Sequence, residues 1–295
     1  MSIDMFPFSS SYNASTDEQL VKEAMQGSGE ALERLAKRHQ RFIFNVALKL
    51  VKDPNEAADL TQEVLIKMIT KLGQFKAQSE FRTWLYRIVV NHFLENEKKR
   101  KAQKAYSFEA FGKFLDEKYT DEDFTESEHK RYVEHIISTR NQCMASMLLC
   151  LDNKQRLVFI LGAIFNIRSA TAAEIMGISA DNFRQLLSRA KADLFRFMDG
   201  KCGLINESNP CRCSKKTKGF IAEGKVDART KKFKQSLSNA IAGQSEEKNR
   251  MLDDLIEKKY LDLFRDHPYE KVEVVQKIAA SILLDPAIRT LFHLN

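Results

Sequence analysis

Glycine and proline are scarce in this chain, 11 and 5 of 295 residues, and runs that alternate β-branched with polar residues are few. Both absences argue against a sheet protein with many tight turns and favour an all-α chain. The five cysteines form no even framework, so a disulfide-stapled secreted domain is not indicated. The opening residues Met1, Ser2, Ile3 and Asp4 carry neither a basic n-region nor a long apolar core, and no signal peptide is read there. No uncharged apolar run approaches the roughly 18 residues a membrane helix needs. The expectation is a cytoplasmic protein with no membrane partner. A glycine-rich phosphate loop and a nucleophile motif are both missing as well, so no enzyme is expected.

What is present is ordinary for a folded protein: 43% hydrophobic and 29% charged residues. The net charge of +7 and the pI near 9.0 suit a polyanionic partner. The distribution says more than the total. Lys98, Lys99, Arg100, Lys101 and Lys104 close one block. An acidic stretch with Asp116, Glu117, Asp121, Glu122, Asp123, Glu126 and Glu128 follows, and basic residues return from Lys201 to Lys234. Blocks of one sign are commonly solvated or disordered; here their alternation is also consistent with separate nucleic-acid and protein surfaces.

Helical periodicity organises the chain. Residues 1–15 read as a flexible tail, and a first helix is expected after a cap at Ser15, Thr16 and Asp17. A second spans about 28–51, with Leu32, Leu35, Phe42, Val46 and Leu50 on its apolar face. Asp53 and Pro54 end it and start a third, which carries Leu60, Val64, Met68 and Leu72 along one side. A polar loop at 73–79 precedes a fourth helix over 80–103, with a core stripe of Phe81, Trp84, Leu85, Ile88 and His92. An acidic linker covers 105–127. A long helix over 128–149 leads to Asp152 and Gln155, which suit a capping box for the next helix. A helix at 169–176 then turns at Gly177, Ser179 caps a second at 180–198, and Gly200 stops it: a helix-turn-helix. Further helices are expected at 230–243, 245–265 and 270–283.

Three elements carry functional signal. The second helix of the helix-turn-helix turns Asn182, Arg184, Gln185, Ser188, Arg189 and Lys191 outward. These are side-chain types that reach base edges and phosphates in a major groove. Phe183, Leu186, Leu187, Ala190 and Leu194 supply the inward face; a helical hairpin with a solvated side would show the same pattern. If Leu60, Val64 and Met68 face the core, then Asp59, Gln62, Glu63 and Ile66 share the opposite face. That mixed face suits a helical protein partner, and equally a solvated surface. The helix at 80–103 mixes aromatics with base, in Phe81, Arg82, Trp84, Tyr86, Arg87, Asn91 and the lysine run. Aromatic faces stack on unpaired bases while cations hold the backbone, but Trp84 also lies on the core stripe.

In this order the three elements resemble the bacterial RNA polymerase sigma factors of the sigma-70 family, and within it the compact extracytoplasmic-function (ECF) group. Asp59-Leu60-Thr61-Gln62-Glu63-Val64 resembles the family's polymerase-binding helix. The run from Phe81 to Ile88, with Asn91, resembles its promoter-melting helix. Leu151 to Arg156, Glu174 to Ser179 and Leu187 to Lys191 resemble its C-terminal DNA-binding domain. The resemblance implies an all-α protein of two small helical domains: region 2 over 16–104 and region 4 over 128–199, joined by the acidic linker 105–127. It implies a non-enzymatic factor that binds core RNA polymerase, directs it to promoters and initiates transcription. Its partners would be core polymerase, promoter DNA and an anti-sigma protein. Asp59, Gln62, Glu63 and Ile66 would contact the polymerase. Gln74 and Lys76, in the loop 74–80, with Arg82, Trp84, Arg87, Asn91, Lys98, Lys99 and Arg100, would meet the minus-ten element. Asn182, Arg184, Gln185, Ser188, Arg189 and Lys191 would read the minus-thirty-five element. Leu186 stands where many relatives carry a basic residue, and Arg168 and Ala170 make the first helix of the helix-turn-helix atypical.

Residues 200–295 exceed what minimal ECF proteins carry. Cys202, Cys211 and Cys213 offer three thiolate ligands for zinc or another soft metal. A closed structural site needs a fourth, and none is evident beyond the distant His267 or His293. A redox pair at Cys211 and Cys213, and a loop of reduced thiols with no cofactor, are the other readings. Cys143 and Cys150 share a helix face and read as small buried hydrophobes. The alternative function left open is a metal- or redox-responsive regulatory binding protein on a sigma-like scaffold.

Overall fold

The computed structural model describes residues 7–8, 12–99, 106–117, 120, 122–224, 261 and 264, with the side chains of 98 and 99 left aside. The helices read at 230–243, 245–265 and 270–283 lie outside the described residues, apart from Leu261 and Phe264, which are helical and buried. The described residues form helices joined by turns, with no strand among them. The chain divides into two compact units, each of non-contiguous segments: Met1–Lys104 with Asn153–Ser188, and Ala105–Asp152 with Arg189–Pro268. Residues 16–104, read as region 2, therefore share a unit with the first part of the helix-turn-helix.

In the first unit, α1 (Ala14–Met25), α2 (Gly29–Val51), α3 (Pro54–Lys71) and α4 (Phe81–Lys99) form a bundle. Local chemistry sets the boundaries. Ser28 caps α2 by accepting from the Ala31 amide at 3.2 Å. Asp53 caps α3 by accepting from Asn55 and Glu56 at 2.9 and 3.0 Å, with Pro54 in the first helical position. The core stripe of α4 is Phe81, Leu85, Tyr86, Val89, Val90 and Phe93, while Trp84 and Ile88 are part-buried.

The N-terminal segment corrects the reading of a flexible tail. The ring of Phe8 packs 5.2 Å from that of Tyr86 and 6.0 Å from that of Phe42. Asn13, rather than the Ser15–Asp17 stretch, caps α1, because Asp17 is committed elsewhere. Its carboxylate is buried and accepts from Tyr12 Oη at 2.6 Å and Arg38 Nε at 2.8 Å, with His39 Nε2 at 3.2 Å. Burial alone would push the Asp17 carboxyl up; the His39 and Tyr12 hydrogen bonds and the Arg38 charge outweigh it and hold the group below its ordinary value.

The same unit contains α7 (Asn153–Val158), a π-helical turn at Phe159–Ile164, α8 (Ser169–Met176) and the start of α9 (Ala180–Lys201). Buried Arg156 donates to the Leu50 carbonyl at 3.0 Å, satisfying the end of α2. Phe165 meets Phe42 edge to face at 4.6 Å, and α8 packs on α4. The widened π turn accommodates Gly162, where a Cβ would lie 2.8 Å from Leu187 Cδ2 and 3.1 Å from the Phe183 ring.

The second unit holds α5 (Phe108–Glu117), α6 (Glu126–Cys150), the rest of α9 and α10 (Cys213–Ala222). The acidic linker is thus not featureless. Phe108 and Phe111 stack near Phe197 at 5.1 and 5.8 Å, Leu115 is buried, and Asp116 pairs with Lys201 at 2.6 Å. Nor does Gly200 stop α9, which runs on to Lys201; the Cys202 amide still bonds to the Met198 carbonyl at 2.7 Å. Thr125 and Glu128 cap α6 reciprocally.

Candidate nucleic-acid and polymerase interface

The three apolar residues of α3 point inward as their spacing requires: Leu60, Val64 and Met68 are buried. Asp59, Gln62 and Glu63 are exposed and Ile66 is part-buried, so the four share the outer face. Glu63 also has an internal partner, its Oε2 lying 2.6 Å from His92 Nε2. Lys67 Nζ stands 2.7 Å from His92 Nδ1. An ammonium only donates, so Nδ1 accepts and the ring proton sits on Nε2, from where it donates to Glu63. Burial, then the Lys67 charge, lowers the His92 pKa against the pull of Glu63.

The chain leaves α3 through a 3-10 turn at Leu72–Gln74, closed by the Phe75 amide on the Leu72 carbonyl at 3.0 Å. Phe75 anchors the loop from below, 5.6 Å from the Phe81 ring and 5.4 Å from that of Trp84. Ala77 takes a left-handed backbone, φ 53°, and Gln74 and Lys76 are exposed. A supported loop with outward polar side chains results.

Along α4 the residues assigned to DNA differ in their engagements. Trp84 is part-buried against Phe75 and Phe81, so its indole is a wall of the loop. Arg82 pairs with Glu80, donates to the Pro7 carbonyl, and lies over the Phe8 and Tyr12 rings at 5.2 and 5.3 Å. Arg87 Nη2 donates to the Glu174 carbonyl of α8 at 3.0 Å. Asn91 is exposed. Lys98 and Lys99 extend the helix without described side chains, and Arg100 lies outside the described residues.

The helix-turn-helix has the expected turn. Gly177 adopts φ +64°, the left-handed region that favours glycine, and the Ile178 amide returns to the Ala173 carbonyl at 3.0 Å. Ser179 Oγ accepts from the Asn182 amide at 3.2 Å and starts α9. Phe183, Ala190 and Leu194 are buried, while Leu186 and Leu187 are part-buried. Asn182, Arg184, Gln185, Ser188 and Arg189 are exposed and Lys191 is part-buried. Arg184 forms an ion pair with Asp181 one turn earlier. Such an exposed pair is worth at most about 1 kcal/mol, so a phosphate or base edge can displace it.

Cys202, Cys211 and Cys213 are part-buried and joined in no disulfide. Among the described residues no group of three or more His, Cys, Asp or Glu side chains could hold a metal ion. No described helix is long and apolar enough to cross a membrane.

A left-handed glycine turn, a capped helix with an outward polar face and a helical bundle define an all-helical protein built around a helix-turn-helix. A family model for Sigma-70 region 2 matches residues 35–104, and one for Sigma-70, region 4 matches residues 141–194. Relatives include the RNA polymerase sigma-H factor of Pseudomonas aeruginosa, 40% identical over 75 residues, which are 25% of this chain and 39% of that protein. The ECF RNA polymerase sigma-E factor of Haemophilus influenzae is 37% identical over 76 residues, 26% of this chain and 40% of that one. The RNA polymerase sigma factor YlaC of Bacillus subtilis is 25% identical over 170 residues, 57% of this chain and 92% of that protein. The match therefore spans about two fifths of the length of the first two relatives. The chain carries segments that match regions 2 and 4 of the sigma-70 family and is similar to that family's ECF members.

Proposed function

We propose that this protein is a sigma factor that binds core RNA polymerase, directs it to specific promoters and initiates transcription, without itself being an enzyme. It would act in the cytoplasm, where polymerase and promoter meet. The observation that carries the reading is the pairing, on one chain and in family order, of regions 2 and 4 with two outward polar faces, on α3 and α9. Asp59, Gln62, Glu63 and Ile66 are the polymerase-facing set. Gln74 and Lys76 of the supported loop, with Arg82, Trp84, Arg87, Asn91 and the run Lys98, Lys99 and Arg100, are the minus-ten set. An extruded base there would gain stacking and edge contacts that offset its unpairing. Asn182, Arg184, Gln185, Ser188, Arg189 and Lys191 are the minus-thirty-five set, placed to read a major groove. A repressor that works without polymerase has no use for the α3 face, which favours the sigma reading.

The test is transcription in vitro by purified core polymerase across a promoter library, with and without the full chain. Discrete starts that depend on the added protein, lost on joint reversal of Asp59→Lys and Glu63→Lys, are expected. Core polymerase that neither binds the protein nor initiates with it would overturn the reading.

A further inference from the structure

His92 stands on α4 between Asn91, which is exposed, and Phe93, which is buried in the core. Its own ring is buried and turned against α3, where it meets two side chains of that helix. Glu63 Oε2 lies 2.6 Å from Nε2, and Lys67 Nζ lies 2.7 Å from Nδ1. Glu63 and Lys67 are four residues apart on α3 with the acid on the N-terminal side, the order in which a helical ion pair closes most readily. Here they hold opposite nitrogens of one imidazole instead of each other. Glu95 Oε2 of α4 steadies Lys67 further, accepting from it at 3.3 Å.

The imidazole suits this place because it donates from one nitrogen and accepts at the other. Lys67 can only donate, so the ring proton sits on Nε2 and points at the carboxylate. Asn96 Nδ2 lies 3.2 Å from the same nitrogen, but an Nε2 that donates to Glu63 has no lone pair left for it. Burial fixes the ring, and the ring in turn fixes one oxygen of a Glu63 side chain that is 56% exposed. The carboxylate has its second oxygen to offer a partner. Ordering a flexible side chain on binding costs free energy, and holding it beforehand lowers that cost. Without the ring, the nearest turn of α3 presents Glu63 with the Lys67 cation.

We infer that His92 is a positioning residue for polymerase binding: it stands between Glu63 and Lys67, keeps their ion pair from closing, and presents the Glu63 carboxylate outward and already ordered. The inference rests on the reading of Glu63 as polymerase-facing. It gives Lys67 the part of a competitor for that carboxylate, held off by the ring and by Glu95. It also gives α4 two duties, with Asn91 outward in the minus-ten set and His92 turned to the helix that meets polymerase. A primary amide donates and accepts as the neutral ring does, so glutamine is the conservative replacement, while alanine can do neither.

The experiment measures the affinity of full-length variants for purified core polymerase, with Glu63→Gln as the reference for the carboxylate itself. His92→Ala should weaken binding about two- to tenfold, the cost of ordering one side chain together with its release from Lys67. His92→Gln should restore most of that loss, and Lys67→Met should bind as the wild type does. His92→Ala combined with Lys67→Met should also recover affinity, because no cation one turn away is left to capture Glu63. A role confined to the fold predicts the reverse, a second truncation adding to the first loss. Should His92→Ala fail to fold, nitrogen NMR of the wild-type ring decides: a proton on Nε2 that responds to Glu63→Gln supports the inference, and a proton on Nδ1 overturns it. Wild-type affinity in His92→Ala where Glu63→Gln binds weakly, or no recovery in the double variant, overturns it as well. Wild-type affinity in Glu63→Gln with the ring proton still on Nε2 removes the polymerase reading of Glu63, and the inference falls with it.

Discussion

Arg87 of the α4 helix donates to the backbone carbonyl of Glu174 at 3.0 Å, and its guanidinium lies 3.6 Å from the same residue's carboxylate. One side chain assigned to promoter DNA is thus held by the first helix of the helix-turn-helix. Both partners are substantially exposed, so the ion pair stabilises the fold by at most about 1 kcal/mol. Arg87→Ala and Glu174→Ala should both leave the melting temperature nearly unchanged. Their effects on promoter-complex formation should differ: Arg87→Ala weakens it, while Glu174→Ala leaves it unchanged or strengthens it by removing a competitor. Equal losses from both would show that the pair matters through the fold and not through DNA.

The buried carboxylate of Asp17 predicts sensitivity to acid. Its folded pKa lies below the ordinary 3.8, so the unfolded chain takes up its proton first as pH falls. The contribution is complete above the unfolded value and is lost as pH drops through the folded one, a window that begins near 4 and extends downward. Asp17→Ala leaves Arg38 and His39 facing an empty site and should cost about 3 kcal/mol at neutral pH. Denaturant midpoints at neutral and acidic pH check both statements. A wild-type curve that matches the variant's at neutral pH would count against them.

Lys49 of α2 is buried, and burial lowers its pKa from 10.5 to about 8. Between those values the unfolded chain binds more protons than the folded one, so this group makes stability rise with pH across that window. Lys49→Met should remove the rise and stabilise the protein at pH 7 by up to about 3 kcal/mol. The raised thiol and phenol groups act oppositely at alkaline pH, as folding then holds their protons longer. The measurement is therefore the difference between wild type and variant at each pH, and a difference independent of pH would refute the assignment.

Gly162 tests the seat of the recognition helix. A methyl there would overlap Leu187 Cδ2 at 2.8 Å and crowd the Phe183 ring. Gly162→Ala should cost roughly 1–3 kcal/mol from overpacking. Pairing it with Leu187→Ala should recover part of that loss, because the two changes share one contact. Chemical denaturation of the single and double variants measures the coupling; strict additivity would mean that the helix is seated elsewhere.

The sequence by itself determined what depends on neighbours one helical turn apart. The caps at Ser28, Asp53 and Ser179, the Gly177 turn, the buried stripe Leu60, Val64 and Met68, and the outward sets on α3 and α9 stand as their spacing requires. Helical period and capping chemistry act over three or four residues, so the local string contains them. Only the tertiary structure decided the rest. Asp17 looked like a cap residue because its partners Arg38 and His39 lie on another helix. Phe8 looked like part of a tail and α5 like a spacer until Tyr86, Phe42 and Phe197 gave their rings a place to bury. Thr217 meets Thr139 because α10 lies on α6. Such contacts join residues tens of positions apart. Burial of apolar surface and the satisfaction of buried polar groups select them only once the helices pack.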